Sequence, residues 1–442
     1  MFKRWGLATM LLAVAALAQG QTPVVSAASQ GPARVRIAHQ GSSYQLLVND
    51  QTFRIKGAGL SGGGDQEALA ARGGNSFRTW RVESDPAAMR AMLDRAQRNG
   101  LMVAVGIEVA RERHGFDYGD ARAVQAQQAR IQAEILAYKD HPAVLMWVVG
   151  NELNLESTDP RVWNAVGQLA DMIHRIDPNH PVMTTLAGFD KPLIDAIKSR
   201  APQLDLIGIQ LYGDIVSLPD KLVSSGWTGP YVVTEWGPTG HWESPLTAWQ
   251  APIEDTATRK ADLLRERYTR YIDSDQVQGL GSYVFLWGHK QERTPTWYGL
   301  FLPDGQSTPG VDAMQFLWTG RWPDNRAPSI APLTVDGQEA LASITLAPGS
   351  PHRAQATAQD PEGDALDYHW RVLRESEATS VGGDPEAIPA QVPMNFGKTV
   401  GGSVRFKAPT APGHYRLFVQ VGDGKGHAAY ANLPFRVEGV GK

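Results

Sequence analysis

The stretch AVLMWVVGNEL, residues 143–153, is an apolar run that ends in an amide and a carboxyl side chain, Asn151 and Glu152. A second apolar run ends in TEWG, residues 234–237, and so carries a second carboxyl group, Glu235. Short apolar runs bounded by turn-forming residues predict buried β-strands. The two glutamates are therefore expected at the carboxyl ends of strands.

Between residues 51 and 290, eight β-rich runs alternate with stretches of helical character. The runs are residues 53–60, 76–82, 101–109, 144–149, 182–186, 204–211, 231–234 and 280–287. This alternation predicts parallel strands joined by crossover helices. The number and spacing of the units favour a (β/α)8 TIM barrel, and a doubly wound open sheet is the alternative. Barrel enzymes carry their chemistry at the carboxyl ends of the strands, where runs four and seven place Glu152 and Glu235.

The amino-terminal residues indicate a segment that precedes the barrel. Residues 1–18 combine Lys3 and Arg4 with an apolar stretch and an Ala-Leu-Ala site, which is the layout of a secretory signal peptide. We therefore expect an exported protein, periplasmic or extracellular, with no membrane span after signal removal. The catalytic barrel is predicted within residues 19–325.

A proline-rich linker at residues 318–332 precedes a region of short strands and turn-forming residues. Residues 326–442 are accordingly predicted to form a second, all-β domain, a small immunoglobulin-like sandwich. The expected fold class is thus α/β, a (β/α)8 TIM barrel followed by this sandwich. Its segment DPEGD, residues 360–364, and the later DGKG, residues 423–426, resemble immunoglobulin-like modules of the polycystic-kidney-disease or cadherin-like kind.

The composition of the chain restricts the classes of molecule that it is expected to bind. The formal net charge is -4, with acidic and basic residues interspersed, so no nucleic-acid face is indicated. The chain has no cysteine, so disulfides contribute nothing to its stability. A neutral or weakly charged partner such as an oligo- or polysaccharide fits better, and we expect a monomer.

Two carboxyl groups held on rigid elements are the minimum requirement for glycoside hydrolysis, in which one protonates the leaving oxygen and the other attacks or activates water. A separation of about 5 to 5.5 Å predicts a covalent intermediate and retention, and roughly 6.5 Å or more predicts inversion. The alternative interpretation is that each glutamate only caps a strand or joins a surface ion pair.

Over residues 45–320, the predicted barrel resembles the clan A glycoside hydrolases, retaining enzymes with Asn-Glu after strand four and Glu after strand seven. The Gly-Asn-Glu form is similar to family 2 catalytic domains. The resemblance implies that Glu152 is the acid/base and Glu235 the nucleophile. It also implies substrate-site roles for Asn151 at the sugar 2-hydroxyl, Arg78 and Tyr212 beside the nucleophile, and Trp287 as the floor of the sugar site.

Aromatic and polar residues near the strand ends are further candidates. Sugars present apolar C–H faces, so flat aromatic rings are expected in their binding sites. Trp236, Trp242 and Trp297 follow catalytic-face strand ends and are candidate platforms, although core packing is the alternative for each. His241 and Glu108 fall on the same face and could bind sugar hydroxyls.

No metal or other cofactor is expected, because the histidines are scattered and no paired-His spacing occurs. Asp360, Glu362 and Asp364 could hold Ca²⁺ through oxygen ligands, but an acidic turn on a solvated loop is the favoured interpretation. The glycine-rich segment at residues 61–64 lacks the phosphate-loop pattern and is interpreted as a rim loop.

The sequence therefore predicts a secreted retaining β-glycoside hydrolase, endo-acting on a β-linked glucan, that uses Glu152 and Glu235 in a double displacement. Two alternatives stay open. A β-glucan transglycosylase would use the same two glutamates and pass the glycosyl group to a sugar. A non-catalytic carbohydrate-binding envelope protein would bind without cutting.

Overall fold

The computed structural model describes residues 31–60 and 65–439. The predicted signal peptide and the glycine-rich segment at 61–64 lie outside these residues. Among the helices of the described part, none is both long and apolar enough to cross a membrane.

Eight parallel strands close into a barrel. They are β4 (Ile55–Gly59), β5 (Ser76–Arg78), β6 (Met102–Ile107), β7 (Val144–Asn151), β8 (Val182–Ala187), β9 (Leu206–Gln210), β10 (Tyr231–Trp236) and β11 (Gly279–Val284). Their order around the barrel is β10-β11-β4-β5-β6-β7-β8-β9. Each overlaps one of the eight predicted runs. Pairing of β11 with β4 closes the ring, so the barrel is confirmed and the open sheet is excluded.

The helices surround the barrel and follow the strands. They are α1 (Gln66–Ala71), α2 (Pro86–Arg98), α3 (Ala121–Tyr138), α4 (Arg161–Ile176), α5 (Lys191–Arg200), α6 (Leu218–Ser225), α7 (Ala257–Arg267) and α8 (Pro309–Thr319). Helix α2 begins as its sequence predicts. The side chain of Asp85 accepts a hydrogen bond from the backbone N–H of Ala87. Pro86 lacks a backbone N–H, and in the first turn of a helix that group would have no partner within the helix. Helix α4 packs an apolar stripe that includes Val162, Val166 and Ile173 against the barrel.

A three-stranded antiparallel sheet precedes the barrel, comprising β1 (Val35–Gln40), β2 (Ser43–Val48) and β3 (Gln51–Thr52). Its apolar residues Val35, Leu46 and Val48 pack with Ile55 and Met146 in the cluster inside the barrel. The sheet therefore covers the amino-terminal end of the barrel and leaves the carboxyl ends of the strands as the site-bearing face.

The region after α8 is built from β-strands. They are β12 (Ser329–Ile330), β13 (Thr334–Val335), β14 (Thr345–Leu346), β15 (Pro351–Gln355), β16 (Ala358–Gln359), β17 (Asp367–Arg374), β18 (Gln391–Val392), β19 (Ser403–Lys407), β20 (Gly413–Gly422) and β21 (Ala428–Val437). A five-stranded sheet has the order β14-β21-β20-β17-β18, and a three-stranded sheet has the order β13-β15-β19. The ring centres of Phe406, in the three-stranded sheet, and Phe435, in the five-stranded sheet, are 6.5 Å apart. We call residues 326–439 the C-terminal module, and its immunoglobulin-like classification stays a prediction.

Buried polar contacts join the module to the barrel. The ammonium group of Lys260, on α7, lies 2.5 Å from Glu254 Oε1 and 3.2 Å from the hydroxyl of Tyr430 in β21. The amide of Asn432, also in β21, donates to Glu254 Oε2 over 2.5 Å. Since buried charges need such partners, this network holds the module against the loops of the barrel.

Candidate active site

The two glutamates lie at the same end of the barrel. Asn151 ends β7 and Glu152 follows it, while Glu235 is the penultimate residue of β10. Arg78 ends β5 and Gln210 ends β9. Because all the strands are parallel, these ends meet on one face.

Glu235 receives hydrogen bonds from three side chains. The indole nitrogen of Trp80 donates to Oε1 over 2.8 Å, and the Gln210 amide donates to the same oxygen over 3.1 Å. The Tyr212 hydroxyl donates to Oε2 over 3.1 Å. The guanidinium of Arg78 adds a positive charge 3.3 Å from Oε1. Each of these contacts stabilises an ionised carboxylate.

Arg78 also fixes the neighbouring amide. Its side chain is fully buried, and it donates to Oδ1 of Asn151 over 2.7 Å. Thr185 and Gln210 donate to that same oxygen over 3.1 and 2.9 Å. With three donors on the oxygen, the amide NH₂ is the group left for a substrate hydroxyl.

Glu152 has a different environment. It is 9% exposed, and no donor among the described residues makes a hydrogen bond to its carboxyl group. Burial raises the pKa of Glu152 to about 8, the nearby charge of Glu235 adds to the increase, and Arg78 opposes it. Its backbone has a φ of 53°, in the left-handed region that a non-glycine residue seldom adopts. Near neutral pH this carboxyl group can therefore keep its proton.

Aromatic rings line the side of the site next to Glu235. Tyr212 packs edge-on against Phe285, Tyr298 and Trp242, with ring centres 6.1, 5.4 and 5.5 Å away. Trp242 is 59% exposed, so its indole remains available for a sugar face. Of the tryptophans predicted as platforms, Trp242 is the one whose position fits that role.

The structure contradicts the prediction that Trp236 and Trp297 are exposed platforms. Trp236 is fully buried and packs against Tyr268, because alternation along β10 turns it away from Glu235. Trp297 is 1% exposed, and its indole nitrogen donates to the carbonyl of Thr239. Trp297 packs against His241 and Tyr298, whereas Trp236 belongs to the main hydrophobic core.

Trp287 does not form the floor of the site. It is 2% exposed, its indole nitrogen donates to the carbonyl of Asp65, and its ring packs against Phe301 and Trp318. Phe285, two residues earlier, instead contacts the ring of Tyr212. The predicted strand continued to residue 287, whereas β11 ends at Val284, and the chain turns after that point.

His241 and Glu108 lie at the edges of the catalytic face. His241 Nδ1 is 3.0 Å from the Tyr298 hydroxyl, and burial together with the charge of Arg293 lowers the pKa of His241 to about 4. Glu108 is exposed after β6, and its side chain makes no hydrogen bond or ion pair within the described residues. His241 thus lies beside the aromatic rings that line the site, and Glu108 makes no hydrogen bond within the network around the two glutamates.

Trp80, Gln210 and Phe285 were not predicted, although each contacts the network of Glu235 or Tyr212. Gln210 had a usable signal, since it lies at the carboxyl end of the predicted run 204–211, on the catalytic face. Trp80 lies within the predicted run 76–82, but β5 ends at Arg78, so strand alternation does not give the direction of the Trp80 side chain.

One acidic cluster lies away from the catalytic face, in the C-terminal module. Asp360, Asp364 and Asp423 place carboxylate oxygens within 4.8 Å of one another. Lys425 is 2.8 Å from Asp364, and Asn325 donates to Asp423 over 2.6 Å. Glu362, which was predicted to share a possible Ca²⁺ site with Asp360 and Asp364, forms an ion pair with Arg326 instead. These contacts tie the linker to the turns of the module.

Comparisons with known proteins find similarity to glycoside hydrolases. Residues 64–213 match the family described as glycosyl hydrolases family 2, TIM barrel domain. The matched residues span β5 to β9, so they include Glu152 but not Glu235. A stretch of 126 residues is 27% identical to mannan endo-1,4-beta-mannosidase F of Aspergillus fumigatus and covers 25% of this chain and 28% of that protein.

Solved structures share the fold at low sequence identity. A beta-glucuronidase 2 from Bacteroides uniformis superposes with a TM-score of 0.51 at 14% identity, covering 92% of this chain and 48% of that one. A family 2 beta-galacturonidase from Eisenbergiella tayi has a TM-score of 0.51 at 17% identity, covering 65% and 54%. The chain thus spans about half the length of these solved chains, and the likeness shows the fold alone.

Proposed function

We propose that this protein is a retaining β-glycoside hydrolase with Glu235 as nucleophile and Glu152 as acid/base. The observation that carries the proposal is the contrast between the two carboxyl groups. Glu235 has three hydrogen-bond donors and an arginine, whereas Glu152 is buried with a pKa of about 8. Opposed environments of this kind separate a nucleophile from an acid.

The reaction follows from these environments. Glu235 attacks the anomeric carbon, and the proton on Glu152 passes to the departing glycosidic oxygen, which leaves as an alcohol. The resulting glycosyl ester on Glu235 is then attacked by water, and Glu152, now ionised, takes the proton of that water. In this proposal the NH₂ group of Asn151 holds a hydroxyl of the sugar during both steps.

The predictions of endo-action, export and transglycosylation have fewer observations behind them than the roles of the two glutamates. Endo-action on a β-glucan assumed an open cleft, and both glutamates are less than a tenth exposed. Export rests on the pattern of residues 1–18. Transglycosylation uses the same two glutamates and differs only in whether water or a sugar resolves the ester.

Incubation with β-1,3-, β-1,4-, β-1,6- and β-1,2-glucans, mannan, xylan and 4-nitrophenyl β-glycosides tests the proposal, with products followed by mass and by NMR of the anomeric centre. We expect hydrolysis of at least one substrate with retention and its loss in Glu235→Gln. Longer products would favour transglycosylation. Inversion, or full activity in Glu235→Gln, would contradict the proposal, and a folded protein silent on every substrate would favour the binding protein.

A further inference from the structure

A loop of the C-terminal module reaches the catalytic face of the barrel. Strands β17 and β18 pair as neighbours at the edge of the five-stranded sheet, and residues 375–390 connect them. We call this connection the module loop. Its length far exceeds the two to five residues that join most neighbouring antiparallel strands, so the additional residues call for an explanation.

The middle of the module loop is bound to the segment that follows β6. Asp384 accepts two hydrogen bonds from the guanidinium of Arg113, over 2.7 and 3.3 Å, and lies 3.1 Å from Nε2 of His114. Arg113 also donates to the carbonyl of Val381 over 3.2 Å. The side chain of Arg113 is 3% exposed, so this contact is far more shielded than an ordinary surface ion pair.

The other anchor lies on the segment that follows β11. The backbone of Arg293 donates to Oε2 of Glu386 over 2.7 Å, and its side chain contacts the carbonyl of Ala378. Lys290 donates to the carbonyl of Gly383 over 2.8 Å. The Glu386 side chain is 1% exposed. The loop therefore spans the mouth of the barrel between two anchored edges.

At its centre, the loop lies against the acid/base. A Cβ atom added to Gly382 would lie 3.2 Å from Oε2 of Glu152 and 2.6 Å from the side chain of Leu155. Gly382 has a φ of 58° and Gly383 a φ of 71°, both in the left-handed region. Glycine is thus required at Gly382 on two counts, conformation and space, and its backbone can approach the carboxyl group closely.

We propose that the module loop forms the wall of the leaving-group side of the active site and limits the size of the leaving group that the enzyme accepts. The inference rests on the proposed function, because the acid/base marks where the leaving group must be. Glu152 protonates the glycosidic oxygen, so a backbone segment against its carboxyl group occupies space into which a long leaving group would extend. The C-terminal module is then a specificity element, and not only a spacer.

The test compares small and long leaving groups. The 4-nitrophenyl β-glycosides of glucose, mannose, galactose and glucuronic acid supply the small one, and the β-linked hexasaccharide of the accepted sugar supplies the long one. The double variant Asp384→Ala/Glu386→Ala removes both acidic anchors. A second variant replaces residues 379–387 with a short Gly-Ser linker. Glu362→Ala, which breaks an ion pair with Arg326 away from the catalytic face, is the matched control.

We expect wild-type protein to favour the aryl glycoside and to leave the internal bonds of the hexasaccharide largely uncut. Both loop variants should raise kcat/KM for internal cleavage at least tenfold, keep kcat/KM on the aryl glycoside within threefold, and keep the circular dichroism spectrum of the wild type. The control should change neither rate. Aryl hydrolysis that depends on Glu235, combined with ready internal cleavage by the wild type or equal changes for both substrates in the loop variants, would overturn this inference alone. Failure of the wild type on every substrate would overturn the proposed function with it.

Discussion

Trp80 and Glu235 are joined by a hydrogen bond of 2.8 Å, although 155 positions separate them in the sequence. The indole donates to the oxygen that Gln210 and Arg78 also contact. Because a hydrogen bond to a charged group contributes about 1.5–3 kcal/mol, Trp80→Phe should lower kcat/KM on an aryl β-glycoside by about 10- to 100-fold. Trp227→Phe, at a half-buried position whose indole donates to a backbone carbonyl, is the control. Equal rates in the two variants would contradict this role of Trp80.

The dependence of the rate on pH should follow Glu152. Its pKa of about 8 means that the carboxyl group is protonated at neutral pH and loses its proton as the pH rises through that value. The acid is then absent, so kcat/KM should fall above about pH 8. In Glu152→Gln, assayed with a 2,4-dinitrophenyl glycoside that needs no acid to depart, the decline at high pH should disappear. An unchanged decline in that variant would assign it to another group.

Trp242 should contribute to binding and not to chemistry. Its exposed ring lies 5.5 Å from that of Tyr212, at the edge of the site. Since aromatic contacts contribute about 0.5–1.5 kcal/mol, Trp242→Ala should raise KM for an oligosaccharide by about two- to tenfold with little change in kcat. The matched control is Trp322→Ala, because Trp322 is 38% exposed and stacks on Phe316 at the domain junction. Equal effects of the two substitutions would exclude Trp242 as a sugar platform.

The contact between Lys260 and Glu254 should be important for stability. Both residues are buried where the module meets the barrel. Lys260→Met leaves Glu254 charged without its main partner, and such a loss destabilises proteins by about 3–5 kcal/mol. Urea unfolding measures the change. Lys139→Met, which breaks an exposed pair with Asp140, should cost about 1 kcal/mol or less. A similarly small loss for Lys260→Met would show that the network is not needed to hold the domains together.

The barrel could be predicted from the sequence because local patterns determine it. Each strand is a short apolar run, and the glutamates fall at the ends of two of them. Contacts between distant segments could not be predicted in this way. Asp384 and Arg113 are 271 positions apart, and no periodicity links a loop of the module to the acid/base. Trp287 was misplaced for a related reason, since strand alternation stops at Val284 and gives no side-chain direction beyond it.

Trapping of the glycosyl ester tests directly whether Glu235 is the nucleophile. The protein would be incubated with the 2,4-dinitrophenyl 2-deoxy-2-fluoro-β-glycoside of the accepted sugar, digested, and analysed by peptide mass spectrometry. We expect a mass increase of one fluorosugar on the peptide that contains Glu235, and none in Glu235→Gln. A sugar attached to another residue, or turnover with inversion and no adduct, would exclude Glu235 as the nucleophile of a retaining reaction.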